Sequence, residues 1–144
     1  MNKSDIKILL VDDEPDILEI VGYNLRNEGY QVFTAANGIE AVKSAKKNIP
    51  QLILLDIMMP EMDGIEACEK IRKIKSLDNV IISFLTARGE DYSQVAGFDA
   101  GADDYITKPI KPKVLVSKIK SLLRRLKSET ETSFSIGDIV IDRD

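Results

Sequence analysis

The chain of 144 residues has no histidine, no tryptophan and a single cysteine, Cys68. Without imidazole there is no Ser-His or Cys-His catalytic couple, no histidine-built zinc site and no phosphohistidine within the chain itself. Any phosphoryl donor must therefore come from outside. One cysteine rules out an internal disulfide and a thiolate metal cluster. With Ile65, Ala67 and Ile71 around it, Cys68 reads as a small apolar filler on a helix. Long apolar runs are missing too: no stretch approaches the roughly 20 residues that cross a bilayer. The opening Met-Asn-Lys-Ser-Asp-Ile lacks the character of a signal peptide, so the expected location is the cytoplasm, with no membrane partner. A cationic surplus is also absent. Lys and Arg total 20 against 24 Asp and Glu, a net charge of −4, which argues against wholesale nucleic-acid binding by this segment.

What is present is a strict alternation of short apolar runs with amphipathic stretches, the pattern of a parallel sheet covered on both faces. The runs Ile6 to Val11, Gln31 to Ala35, Gln51 to Leu55, Val80 to Leu85 and Ala102 to Ile106 read as five strands. Helices are expected from Pro15 to Gly29, from Asn37-Gly38 toward Pro50, from about Ile65 to Ile74, from about Asp91 to Phe98, and along the stretch carrying Val114, Leu115, Ile119, Leu122, Leu123 and Leu126. The basic face of that last helix, including Lys111, Lys113, Lys118, Lys120, Arg124 and Arg125, reads as a solvated surface. Ser128 to Ser133 is polar and reads as a linker. Phe134 to Asp142, around Gly137-Asp138, reads as two short strands that cannot bury a face alone, hence the start of a second domain.

Four apolar runs end at reactive polar residues: Val11 at Asp12-Asp13, Leu55 at Asp56, Leu85 at Thr86, and Ile106, one residue on, at Lys108-Pro109. Parallel strands would bring these to one edge, where ligands bind in doubly wound sheets. Three packed carboxylates repel unless a cation lies among them. An all-oxygen set selects Mg²⁺, or Mn²⁺, over zinc. Such an ion can bridge a carboxylate to a phosphoryl oxygen and leave one carboxylate to attack phosphorus. Asp56, alone at the end of the most apolar strand, is the expected nucleophile. Asp12 and Asp13 are expected to organise metal and water, Lys108 to supply a point charge for a phosphoryl oxygen, and Thr86 to offer a hydroxyl to the new anion. Taken singly, each aspartate has a plainer reading as a helix cap or turn former. Thr86 alone carries little signal, and Lys108 alone reads as a surface lysine. The joint arrangement is what caps do not explain.

These residues resemble the receiver domain of bacterial two-component response regulators. The matching pieces are Leu10-Val-Asp-Asp-Glu14, Leu54-Leu-Asp-Ile-Met-Met-Pro-Glu-Met-Asp-Gly64, Leu85-Thr-Ala87 and Asp103-Asp-Tyr-Ile-Thr-Lys-Pro109, within residues 5 to about 126. The resemblance implies a flavodoxin-like (βα)5 doubly wound parallel sheet with strand order 2-1-3-4-5. It implies a receiver domain over 1–127, a linker over 128–133 and the start of a truncated effector over 134–144. It further implies phosphorylation of Asp56 by a sensor histidine kinase, Mg²⁺ held by Asp13, Asp56 and the Met58 carbonyl with Asp12 acting through water, and a Thr86/Tyr105 switch pair. A cis Lys108–Pro109 bond is expected on the same ground.

The tail is similar to the opening strands of the winged-helix effector of OmpR/PhoB-type transcription factors, which implies DNA binding by a domain beyond this chain. Receivers of that type pair as homodimers through charged residues, and Asp103, Asp104, Lys118 and Arg125 fit that pattern; Gln94 and Val114 depart from it. Two alternatives differ in class. One is a stand-alone receiver acting only through protein contacts. The other is an aspartyl-phosphate hydrolase of the haloacid-dehalogenase type, whose Asp-x-Asp-x-Thr motif Asp12 to Asp16 does not match. The receiver resemblance implies a phosphoacceptor and not an enzyme.

Overall fold

The computed structural model describes residues 2–86 and 99–137, with side chains described as far as residue 125. Five strands, β1 (Lys7–Val11), β2 (Gln31–Ala35), β3 (Leu52–Asp56), β4 (Ile81–Thr86) and β5 (Asp104–Thr107), alternate with helices α1 (Pro15–Asn27), α2 (Gly38–Asn48), α3 (Gly64–Arg72) and α4 (Pro112–Gly137). All strand pairs are parallel, and their order is β2-β1-β3-β4-β5. This is the flavodoxin-like doubly wound sheet. The helix expected between Asp91 and Phe98, including Gln94, lies outside the described residues.

Alternation along the strands splits the core into two layers, as period-two geometry requires. Leu9, Val11, Ile53, Leu55, Ile82 and Phe84 face α2 and α3 and pack with Ala41, Ala45, Ala67 and Ile71. Ile8, Leu10, Leu52, Leu54 and Leu85 face the other way, against Val21 and Leu25 of α1 and Leu115, Ile119 and Leu122 of α4. Every residue of β3 is buried, so the strand that ends in Asp56 is clamped on both faces. Cys68 is buried, as its apolar neighbours suggest, and burial pushes its thiol pKa up to about 11.

Local signals set the helix ends. Pro15 opens α1, and Gly29 just beyond its end adopts φ +107°. Asn37 caps α2 by accepting from the Glu40 N–H, and Asp63 caps α3 by accepting from the Glu66 N–H. The helix α4 does not stop near Leu126. Its backbone continues through Ser128–Ser133, read from the sequence as a linker, and through Phe134–Gly137, read as the first strand of a hairpin. The run contains neither proline nor glycine before Gly137 and includes Glu129 and Glu131, good helix formers, so nothing local ends the helix. Polarity by itself is not a stop signal.

Arg72, at the end of α3, ties that helix to the segments entering β4 and β5. Its Nε donates to the Gly101 carbonyl at 2.8 Å, Nη1 to the Val80 carbonyl at 2.7 Å and Nη2 to Asp103 Oδ2 at 2.8 Å. Asp103 Oδ2 also accepts from the Ile82 N–H at 2.9 Å. Arg72→Ala would strand two carbonyls and a half-buried carboxylate, and is expected to lower unfolding stability by about 2–4 kcal/mol in urea titration. Arg72→Lys should recover less than half of that, since a point-charge ammonium cannot serve three acceptors in a plane.

Candidate functional site

The register of the central strands gathers the polar residues at one edge. Val11 pairs with Leu55, and Asp56 with Leu85. Asp12 therefore follows β1 beside Asp56, while Thr86 sits one residue past the partner of Asp56. Asp56 and Thr86 are the last residues of their strands, not the first residues after them. Carboxylate oxygens of Asp12, Asp13 and Asp56 all lie within 4.8 Å of one another. Asp12 and Asp56 are buried and Asp13 is exposed, so the cluster has a floor and an open mouth.

Lys108 reaches this cluster from the loop after β5. Its N–H donates to the Thr86 carbonyl at 2.8 Å, fixing the loop to the end of β4, and the Lys108–Pro109 bond is cis, as expected. The ammonium lies 3.0 Å from Asp12 Oδ2, 3.5 Å from Glu14 Oε2 and 3.6 Å from Asp56 Oδ1. Burial pulls the Lys108 pKa down, but the close contact with Asp12 and the charges of Asp56, Asp12 and Glu14 outweigh it and hold it above the usual lysine value.

Asp12 serves two purposes. Its Oδ1 accepts from the Glu14 N–H at 2.9 Å, the turn-forming role that a lone aspartate after a strand is expected to play. Its Oδ2 is buried and has no well-directed hydrogen bond; the Lys108 ammonium compensates its charge from off the bonding directions. A buried oxygen without a directed donor, next to two more carboxylates, suits a hard cation that coordinates oxygen at about 2.0–2.1 Å. The residues present fit Mg²⁺.

The Asp56 pKa is raised to about 7. Burial is the main cause, followed by the charge of Asp12; Lys108 opposes, Asp13 adds to the rise, and the Met58 N–H lowers it slightly. Met58 is itself 64% exposed beside the acid. Thr86 is buried, and Tyr105, on β5, stacks against Phe84 with ring centroids 5.7 Å apart. Asp56, Thr86 and Tyr105 thus belong to three neighbouring strands.

The four charged residues expected on a pairing face line two cavities that share Arg125, one with Asp104 and Lys118 and one with Asp103. Asp104, Lys118 and Arg125 line a shallow groove with Val114 and Leu122, and Asp104 Oδ2 is 3.6 Å from Lys118 Nζ. Asp103 also bonds Arg72 and the Ile82 N–H. Sequence reading missed Glu14, whose contact with Lys108 depends on how far the loop after β5 reaches. It also missed Gly64, where a Cβ would fall on the Asp56 carbonyl oxygen and within 2.9 Å of Ile57 Cα.

A family profile described as the response regulator receiver domain matches residues 8–120. The chain is 43% identical to the alkaline phosphatase synthesis transcriptional regulatory protein PhoP of Bacillus subtilis, over 98% of this chain and 59% of that protein. It is 45% identical to the transcriptional regulatory protein SrrA of Staphylococcus aureus, over 86% of this chain and 50% of that one. The chain thus spans between half and three fifths of the length of these curated relatives. Among solved structures it is similar to a CheY-like response regulator receiver domain protein from Methanospirillum hungatei, with TM-score 0.81 and 35% identity over 86% of this chain and 98% of that one. Chemotaxis protein CheY4 of Vibrio cholerae gives TM-score 0.77 at 32% identity, over 81% and 97% of the two chains. With its sheet order, its acidic cluster and a profile match across most of its length, the chain belongs to the response regulator receiver domain family.

Proposed function

We propose that this domain accepts a phosphoryl group on Asp56 from a sensor histidine kinase and, through the last strand and helix, controls a DNA-binding domain that follows it in the intact protein. The observation that carries the reading is the convergence of Asp12, Asp13 and Asp56 with the Lys108 ammonium 3.6 Å from Asp56 Oδ1. Asp56 stands at the end of a fully buried strand, which holds its carboxylate still for attack on phosphorus. Lys108 favours the charged, nucleophilic form of Asp56 and supplies a cation for a phosphoryl oxygen. Asp12, Asp13, Asp56 and the Met58 carbonyl would hold Mg²⁺, which would offset the charge gathered between carboxylate and phosphoryl oxygens.

The product adds roughly −1.5 to −2 charges at the rim of the sheet. Thr86 turning toward that anion, with Tyr105 following, would bias two packings of the β4–β5 edge. The groove shared by Asp104, Lys118 and Arg125 supports a pairing face for a phosphorylated dimer. Asp103, which shares a cavity with Arg125, borders that face. The names of the curated relatives, both transcriptional regulatory proteins, support a transcriptional role for the intact protein.

Mg²⁺ binding supplies a direct test that needs no kinase. In the metal-free protein Asp56 holds its proton up to pH about 7, and a metal must displace that proton. Apparent Mg²⁺ affinity, read as the rise in Tm, is therefore expected to climb about tenfold per pH unit between roughly pH 5 and 6.5 and to level off above 7. Asp13→Asn should weaken it at least tenfold at pH 8. An affinity that is flat across this range would contradict the assignment of Asp56 to the metal site.

A further inference from the structure

Glu14 stands at the mouth of the acidic cluster and has a side chain with no structural task. It occupies the N-cap position of α1, where its N–H donates to Asp12 Oδ1 and its carbonyl accepts from the Ile17 and Leu18 N–H groups, yet its side chain makes no capping hydrogen bond. It is not one of the three clustered carboxylates. Its Oε2 lies 3.5 Å from the Lys108 ammonium, while the glutamate side chain is 60% exposed and the lysine 20%. Lys108 thus sits between two anionic surroundings: Asp12 and Asp56 below, Glu14 above.

Given the phosphoacceptor role proposed for Asp56, the geometry points to Glu14 as a charge filter on the phosphoryl donor, a carboxylate that competes for Lys108 and disfavours doubly charged small-molecule donors relative to singly charged ones. An anionic donor that draws on the ammonium of Lys108 competes with Glu14 for it and is repelled by the Glu14 charge beside it. Both effects oppose it in proportion to its own charge. Acetyl phosphate arrives as a dianion: an Asp56 oxygen forms the new P–O bond, the P–O bond to the acetyl group breaks, and its electron pair leaves with acetate. Phosphoramidate arrives carrying an ammonio group and one net negative charge: the same P–O bond forms, the P–N bond breaks, and neutral ammonia leaves. The chemistry at Asp56 is otherwise alike, so the two donors differ mainly in what Glu14 feels.

The test uses the full chain with excess Mg²⁺ and compares initial phosphorylation efficiency for both donors in the wild type, Glu14→Gln and Glu14→Asp. Removing the charge is expected to raise acetyl phosphate efficiency by about three- to tenfold and phosphoramidate efficiency by roughly the square root of that factor. The donor ratio therefore shifts about two- to threefold. Glu14→Asp should keep the wild-type ratio, and the shift should shrink in about 0.5 M salt, because the charge is exposed. A Glu14→Gln variant that changes both donors by one common factor, or neither, would overturn the filter while leaving the role of Asp56 intact. A wild-type chain that takes up phosphoryl from neither donor would overturn both.

Discussion

Asp56→Asn is expected to bring phosphoryl incorporation from acetyl phosphate and Mg²⁺ down to background, and at the same time to make the metal-free protein more stable at pH 8. The first effect follows from chemistry, because an amide is a poor nucleophile at phosphorus and no other carboxylate of the cluster ends a strand buried along its whole length. The second follows from linkage. In the folded protein the Asp56 pKa is about 7, above its ordinary value of 3.8, with burial as the largest cause.

For an acid raised in this way the fold binds the proton more tightly than the unfolded chain. Its unfavourable charge is not felt below pH about 4, and stability falls as pH rises toward 7. The gap corresponds to about 4 kcal/mol, and solvent at the open side of the site reduces this to on the order of 2 kcal/mol. Asparagine cannot ionise and avoids the loss. Urea titrations at pH 5 and pH 8 should show a wild type that weakens between the two values and a variant that does not. A variant that incorporates phosphoryl with wild-type stoichiometry would refute the assignment.

Gly64→Ala is expected to cost about 3 kcal/mol and to blunt the Mg²⁺ response together. The added Cβ would overlap the Asp56 carbonyl oxygen and come within 2.9 Å of Ile57 Cα. Those atoms are backbone at the end of a buried strand and cannot swing aside as a flexible side chain would. The Gly64 N–H also donates to the Ile57 carbonyl at 2.8 Å, closing the loop that carries Met58. Relief of the overlap must move residues 56 and 57, and the carboxylate with them. Urea denaturation measures the first effect and the Mg²⁺-dependent shift in Tm the second. A loss below about 1 kcal/mol with an unchanged Mg²⁺ response would show that this close approach does not position the site.

Most of the sheet was legible because its strands are short, apolar and bounded by turn residues, and because parallel pairing leaves few orders for five such strands. Asp12, Asp13, Asp56 and Lys108 were legible as a group because each follows or ends an apolar run, which puts them on one edge before any distance is known. Strand ends were misplaced by a residue or two. Asp56 and Thr86 belong to β3 and β4, since polarity marks the rim of a sheet rather than the end of its hydrogen bonding. The helical backbone from Ser128 to Gly137 was not legible because the serines and threonines there suggest an irregular connector, while the backbone needs only the absence of proline and early glycine to stay helical. Glu14, Arg72 and Gly64 share one reason for receiving no role from the sequence. Their contacts join segments far apart in the chain or depend on backbone separation, and neither leaves a periodic trace.

The most direct measurement is the chemical location of the phosphoryl group. The wild-type chain is treated with acetyl phosphate and Mg²⁺, the acyl phosphate is reduced with borohydride, and the peptides are sequenced. A carboxylate that meets phosphorus at the end of β3, with Lys108 beside it, predicts homoserine in place of Asp56 and at no other aspartate. Homoserine in place of Asp12 or Asp13, with Asp56 unmodified, would contradict the account.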